Sequence, residues 1–320
     1  MRPWGWLLVI AIAIMPEAVY AQAWPTQPIR IIVPYPAGGL SDVFARLIAD
    51  RLGQALGQPV VIDNRPGGNT IIGTQATAQA PADGYTLLLT NAALSINPII
   101  TLNLPYDLDR ELAPVVYLGE SLGLIVVTDG LKASTLPELI AMAKVAPGKY
   151  SVAVPGLGTP YRMALEQLKQ IAGIDLLMVP YKGSPPAIND VIAGQVSIGI
   201  DSLVPLAPQV KAGRLRALAV LSTSRSPDLP DVPTSPEAGL PDVVIFNYNA
   251  LLAPAGTPRP VIEKLNAAVN AVLVQPDTIA QAQKLGLRLG GGPPDKLKAT
   301  IAHVSEVYAR IAKAADIKPE

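Results

Sequence analysis

Residues 28–56, with the sequence PIRIIVPYPAGGLSDVFARLIADRLGQAL, contain a strand, a glycine loop and a helix in direct succession. The first six residues are rich in β-branched side chains and are bounded by prolines, which favours a buried strand. Beyond the loop, Phe44, Ile48 and Leu52 recur every four positions, the spacing of one helix face. Ser41 or Asp42 is expected to cap this helix. A strand that leads through glycines into a helix is typical of α/β folds.

The same succession recurs along the chain. The predicted strands cover 59–62, 85–90, 124–127, 150–154, 176–179, 196–200 and 215–221, and the predicted helices cover 70–80, 136–144, 160–171, 261–273, 277–285 and 295–314. Thr159 is a good helix N-cap and Pro160 suits the first helical position, just after the second glycine loop, Gly156-Leu157-Gly158. This alternation predicts an α/β fold with a largely parallel sheet.

Composition excludes several classes of protein. The 320 residues include 25 Lys and Arg, 25 Asp and Glu, one His and no Cys, and 50% are hydrophobic. Zero net charge argues against a nucleic-acid partner, and the high apolar content argues against disorder. Without cysteine, and with a single histidine, most zinc and iron–sulfur sites are excluded, so we expect no metal and no cofactor. The length suggests about two domains.

The N-terminus has the pattern of an export signal. Arg2 precedes a short apolar segment, residues 6–15, and Ala21-Gln22-Ala23 provides a cleavage site. The apolar segment is about ten residues, too short for a membrane span of about 20. We therefore expect residues 1–23 to be a signal peptide that is removed near residues 21–23, and the mature protein to lie in the periplasm.

The two glycine loops are the candidate binding elements. Each lies between a predicted strand and a predicted helix, where ligands of open parallel sheets bind. Glycines allow close backbone approach, and the free N–H groups of a helix N-terminus favour an anion. No dinucleotide fingerprint, P-loop or nucleophile elbow is present, so no catalytic residue is predicted. Asp201 follows an apolar strand; both ligand binding and a capping or hinge role are open for it.

A series of motifs in this chain resembles those of the Bug family, the extracytoplasmic solute receptors of tripartite tricarboxylate transporters. The resemblance spans the sequence from residue 24 onward and is carried by Trp24 to Arg30, Val33 to Gly39 with Asp42, Asn64 to Gly67, Asp83 to Leu87, Leu104 to Asp107, Val179 to Gly183, Gly213 to Val220, Asp231 to Thr234 and Ala253 to Pro258.

The resemblance implies a type II periplasmic-binding-protein fold, in which a ligand closes between two α/β lobes. Residues 24–123 with 245–320 are expected to form lobe 1, and residues 124–244 lobe 2. The family implies a small organic carboxylate as ligand, a membrane permease as partner, and a monomer that is not an enzyme. The expected ligand-binding residues are Tyr35, Ala37, Gly38, Gly39, Ser41, Asp42, Thr90, Gly156, Gly158, Thr159, Tyr161 and Asp201.

Two alternatives stay open at this point: a receptor that signals to a sensor kinase, and an α/β enzyme that acts on a small acid. The chain also departs from the family pattern, with Val154, Arg162, Met178, Tyr248 and Ala250 where other residues are usual. Backbone amides are expected to hold the acid, assisted by the hydroxyls of Ser41 and Thr159, so a β-carbon at Gly39 or Gly158 is expected to block binding.

Overall fold

A computed structural model of the chain describes residues 24–319. The strands are β1 (Ile29–Val33), β2 (Val60–Asn64), β3 (Thr86–Asn91), β4 (Leu112–Ser121), β5 (Gly123–Thr128), β6 (Ser151–Val154), β7 (Leu177–Pro180), β8 (Ile198–Ser202), β9 (Leu215–Val220), β10 (Tyr248–Pro254) and β11 (Leu287–Leu289). The helices are α1 (Leu40–Leu56), α2 (Ile71–Ala78), α3 (Ala93–Ile100), α4 (Leu108–Glu111), α5 (Leu136–Val145), α6 (Pro160–Ala172), α7 (Ser184–Ile192), α8 (Leu203–Lys211), α9 (Arg259–Leu273), α10 (Pro276–Lys284) and α11 (Pro294–Ala314).

The strands form two separate sheets. The first sheet has six strands in the order β11-β4-β10-β3-β1-β2, and the second has five in the order β7-β6-β8-β5-β9. Strand β4 ends at Ser121 in the first sheet and β5 begins at Gly123 in the second, so the chain passes between the sheets there within two residues. It returns through the long segment between β9 and β10. The α/β fold class predicted from the sequence is confirmed.

The prediction of largely parallel sheets is wrong, because both sheets are mixed. Strands β1, β2 and β3 pair in parallel, as do β6, β7 and β8. Strand β10 runs antiparallel to β3 and β4, and β5 runs antiparallel to β8 and β9. Strands β5 and β10 are the first strands after the two passages of the chain between the sheets. They can pair antiparallel because only a parallel pair of consecutive strands requires a helical crossover between them.

Helix α1 shows how the sequence builds the first layer. Phe44, Ile48 and Leu52 are completely buried in the core between the first sheet and helices α1, α9 and α10. Gly57 ends the helix with a φ of 71°, the left-handed conformation that glycine adopts at helix C-termini. A second core fills the opposite face of this sheet, and two more cover the faces of the second sheet. These cores fix the helix N-termini at the ends of the strands.

The predicted irregular segment over 224–241 has neither helix nor strand. Among residues 24–319, no helix combines the length and apolar character needed to cross a membrane. The predicted signal peptide, residues 1–23, lies outside the described residues.

Candidate functional site

The two glycine loops face each other across a small cavity between the sheets. Its lining comes from both sides: Tyr35, Pro36, Gly39, Leu40, Ser41 and Asn91 next to the first sheet, and Pro155, Thr159, Tyr161, Gly183, Ser184 and Asp201 next to the second. We call it the inner cavity. Its volume is about 20 Å³, room for about one water molecule. None of the described residues that line it carries a positive charge.

A larger outer cavity of about 620 Å³ adjoins the inner one. The two share five lining residues, and the outer cavity adds Gly156, Gly158, the 67–70 turn and Lys182. An acid of six or more non-hydrogen atoms is several times larger than one water molecule, so it does not fit within the inner cavity alone. The second glycine loop contacts the 67–70 turn across the cavity, so this is a closed form, in which an acid of that size would extend from the inner cavity into the outer one.

The first glycine loop is held by Asp42, not capped by Ser41 or Asp42 as the sequence predicted. The N-cap is Gly39, and Asp42 lies within α1. The buried Asp42 carboxylate accepts the Gly38 N–H at 2.9 Å, two hydrogen bonds from Arg46 at 2.9 and 3.0 Å, and one from Asn64 at 3.0 Å. Burial by itself would raise the pKa of Asp42, but these hydrogen bonds outweigh it, so the pKa is lowered.

These contacts change which groups of the loop can reach a ligand. Ala37 and Gly38 lie at an exposed tip and line neither cavity, and the Gly38 N–H is already bonded to Asp42. No described residue accepts a hydrogen bond from the N–H of Leu40 or Ser41, the first two residues of α1. Both residues line the inner cavity, so the donors are at the helix start rather than at the glycines.

The second glycine loop has the cap that the sequence predicted. Thr159 is the N-cap of α6 and accepts the Arg162 N–H at 3.3 Å, with Pro160 in the first turn. Its hydroxyl also donates to the Gly156 carbonyl at 2.8 Å, so in this form the hydrogen is committed to the loop and not to a ligand. The Tyr161 N–H has no acceptor among the described residues and remains a donor at this helix start. Arg162 turns back to donate to the Leu157 carbonyl at 3.4 Å.

A contact across the cavity joins the second glycine loop to the 67–70 turn. The Asn69 side-chain oxygen accepts the Leu157 N–H at 3.2 Å. Asn69 and Thr70 have φ values of 51° and 78°, a left-handed conformation that residues with side chains rarely adopt. The Asn97 side chain donates to the Asn69 carbonyl at 2.8 Å and so fixes this turn. A strained turn that contacts the opposite loop is typical of a segment under functional constraint.

Asp201, at the end of β8, is the acidic group of the inner cavity. It is 3% exposed, and one carboxylate oxygen, Oδ1, accepts from the Ser184 hydroxyl at 3.1 Å and from the Ser202 N–H at 2.6 Å. The other oxygen, Oδ2, is buried and has no hydrogen-bond partner among the described residues. Burial raises the pKa of Asp201 to about 7, although the two hydrogen bonds lower it.

Two asparagines that the sequence analysis missed lie beside the inner cavity. Asn247 donates to the Ser121 hydroxyl at 2.9 Å and to the Tyr161 hydroxyl at 2.7 Å. Asn249 pairs with Asn91 across β10 and β3, is completely buried, and has no partner among the described residues for either side-chain polar atom. Two amides at alternate positions, one just before and one within the apolar strand β10, are the sequence signal that could have identified them.

The remaining predicted residues have distinct places. Tyr35 lines both cavities, and its hydroxyl donates to the Asn91 side-chain oxygen at 2.7 Å. Thr90 is buried in β3 and lines neither cavity, and within residues 24–319 its hydroxyl has no hydrogen-bond partner. The inner cavity thus brings together Tyr35, Gly39, Ser41, Thr159, Tyr161 and Asp201, the outer cavity adds Gly156 and Gly158, and Asp42 lies behind the first loop.

No metal site is evident in residues 24–319, and another large groove there lacks the features of the inner cavity. No group of three or more His, Asp or Glu side chains is arranged to hold a metal within that range. Another groove, of about 900 Å³, lies at β4 and α11. Its acidic rim is used within the fold, because Asp107 caps α4 and Glu111 accepts the Asp107 N–H at 2.9 Å. It lacks the facing helix starts of the inner cavity.

Comparisons with known proteins agree with this geometry. A family model described as "Tripartite tricarboxylate transporter family receptor" matches residues 44–314. The chain is 39% identical, over 90% of its length and 87% of the relative's, to the "UPF0065 protein in tcbD-tcbE intergenic region" of Pseudomonas sp. (strain P51).

Solved structures with the same fold include "Structure of periplasmic binding protein BugD", which is 31% identical with a TM-score of 0.89 and covers 93% of this chain and 100% of that one. "R. palustris Rpa4515 with adipate" is 33% identical with a TM-score of 0.90 at the same coverage. "MatC (Rpa3494) from Rhodopseudomonas palustris with bound malate" is 29% identical with a TM-score of 0.83, and covers 90% of this chain and 99% of that one. The periplasmic-binding-protein fold is confirmed, and the chain belongs to the tripartite tricarboxylate transporter receptor family.

Proposed function

We propose that this protein captures a small organic carboxylate between two lobes and delivers it to the permease of a tripartite tricarboxylate transporter. The observation that carries the proposal is the pair of helix starts, α1 and α6, whose unpaired N–H groups face one cavity with no cationic side chain. Each helix N-terminus favours an anion by roughly 0.3–1 kcal/mol, and each charge-assisted hydrogen bond adds to this. The bound adipate and malate of the two Rhodopseudomonas structures support a carboxylate as ligand.

The two lobes of the proposal are built on the two sheets. Residues 24–123 and 245–320 form lobe 1 around the first sheet, and residues 124–244 form lobe 2 around the second. The hinge lies where β4 leads into β5 and where the chain enters β10. Asn247 supports this position for the hinge, because its hydrogen bonds join Ser121, at the end of β4, to Tyr161 of α6.

The protein acts, in this proposal, as a monomeric periplasmic receptor without catalytic activity, after removal of the signal peptide near residues 21–23. The absence of charged side chains other than Asp201 from the inner cavity supports binding rather than catalysis, because a hydrolytic or transfer reaction needs a positioned nucleophile with its base. Family membership supports the permease as the partner.

A thermal-unfolding screen of the mature protein against organic acids tests the proposed function. An acid at 100 times its Kd is expected to stabilise the closed form by about 2.7 kcal/mol, which raises Tm by several degrees. The neutral amide of the same acid is the control and is expected to have little effect, because the helix N-termini favour a negative charge. Binding of no organic acid, or equal binding of acid and amide, would contradict the proposal.

A further inference from the structure

The inner cavity presents backbone donors from both sheets and one carboxylate acceptor, Asp201, next to the second sheet. The donors are the N–H groups of the two helix starts, including those of Ser41 and Tyr161. The acceptor is Oδ2 of Asp201, which is buried and unpaired among the described residues. A ligand carboxylate accepts hydrogen bonds from these N–H groups, but it has no hydrogen to donate to Oδ2 of Asp201.

The neighbours of Asp201 do not supply that hydrogen. Ser184 and Ser202 both bond to Oδ1. Asn247 uses its amide hydrogens on Ser121 and Tyr161, and its own oxygen is a second buried acceptor without a partner among the described residues. A buried acceptor left unpaired is unfavourable, so a ligand that brings a donor to Asp201 is expected to bind about tenfold more tightly than one that does not.

We propose that Asp201 is a specificity-determining residue that accepts a hydrogen bond from the ligand, and that the ligand is a carboxylate with a hydroxyl or ammonium donor next to its acid group. This inference rests on the proposed function. A second carboxylate in place of that donor would repel ionised Asp201, because two like charges in one buried site repel each other.

The ionised form of Asp201 is the one that accepts, which fixes the direction of the pH dependence. Burial raises the pKa of Asp201 to about 7. The titratable side chains that line the cavity with it are the phenols of Tyr161 and Tyr35; burial raises the pKa of both groups well above the usual value, so both stay neutral. Affinity for a donor-bearing acid is therefore expected to rise from pH 6 to pH 8, whereas a plain dicarboxylate, which needs protonated Asp201, would bind more weakly as pH rises.

Calorimetric titration with matched acids tests the inference. Two sets differ only in the substituent at carbon 2: succinate, malate and aspartate, and glutarate, 2-hydroxyglutarate and glutamate. At pH 8 the better of the hydroxy and amino acids is expected to bind at least tenfold more tightly than the unsubstituted acid of its set. The comparison of hydroxy with amino acid identifies which donor the protein selects.

The isosteric variant Asp201→Asn is expected to reduce this preference to less than threefold and to remove the pH dependence between pH 6 and 8. Asp242→Asn, at an exposed position of the same proposed lobe, is the control and should keep both. If the unsubstituted acid binds as tightly as its substituted counterparts, or if Asp201→Asn keeps the preference, the inference is overturned while the proposed function stands. If none of the six acids binds and the wider acid screen is also negative, the proposed function is overturned together with the inference.

Discussion

Replacing Gly158 with alanine is expected to abolish the stabilisation by a bound acid while the unliganded protein folds normally. A β-carbon at Gly158 would lie 2.5 Å from the Asn97 side-chain oxygen and 3.1 Å from the Asn69 β-carbon. Both neighbours belong to the layer of the first sheet, whereas Gly158 precedes α6 beside the second. The clash therefore exists only in the closed form. The φ of Gly158 is outside the left-handed region, so alanine adds no backbone strain there.

Thermal unfolding with and without an acid identified in the screen measures this effect. The wild-type protein is expected to gain about 2.7 kcal/mol at 100 times Kd, and Gly158→Ala close to none. Gly130→Ala is the control, because a β-carbon there meets no atom within 4 Å and the φ of Gly130 is outside the left-handed region. The block at Gly39 stays a prediction: a β-carbon there would meet only the Pro36 carbonyl among the described residues, at an ordinary 3.5 Å, but Gly39 lines the inner cavity. Full stabilisation of Gly158→Ala by the acid would show that this closed arrangement is not the binding form.

Asp42→Ala is expected to lower the free energy of unfolding by about 2–4 kcal/mol at pH 7, the range of a disrupted buried hydrogen-bond network. The side chain of Asp42 is 3% exposed, and its loss leaves Gly38, Asn64 and Arg46 without their shared acceptor. The first glycine loop is then no longer fixed to α1, so ligand affinity is expected to fall as well.

Urea unfolding at several pH values measures the contribution of Asp42. Its pKa is lowered in the folded state, so the stabilisation is complete above the unfolded pKa of about 3.9 and is lost as pH falls through the folded pKa. Asp63→Ala is the control, because Asp63 also pairs with arginines, Arg30 and Arg65, but its side chain is 27% exposed. There we expect a loss of less than about 1 kcal/mol. Equal losses for the two variants would show that the Asp42 network does not fix the loop.

Local elements could be predicted because their information lies within a few residues. The apolar spacing of α1 and the Thr159–Pro160 start of α6 are set by helix geometry and by caps that span one turn. The cap of α1 was the exception. Ser41 and Asp42 are both good capping types, but Asn64 and Arg46 draw the Asp42 carboxylate into a network that begins the helix two residues earlier, at Leu40.

By itself the sequence determined the strand–loop–helix units, the two glycine loops at helix starts and, through its motifs, the family. Only the tertiary structure decided which groups meet. The Asn69–Leu157 hydrogen bond joins residues 88 positions apart, and the Asn247–Tyr161 bond joins residues 86 positions apart. The antiparallel course of β10, with Asn249 beside Asn91, likewise depends on a distant partner. Such contacts leave no periodic pattern in the sequence, because each is set by how two independently folded layers are placed against each other.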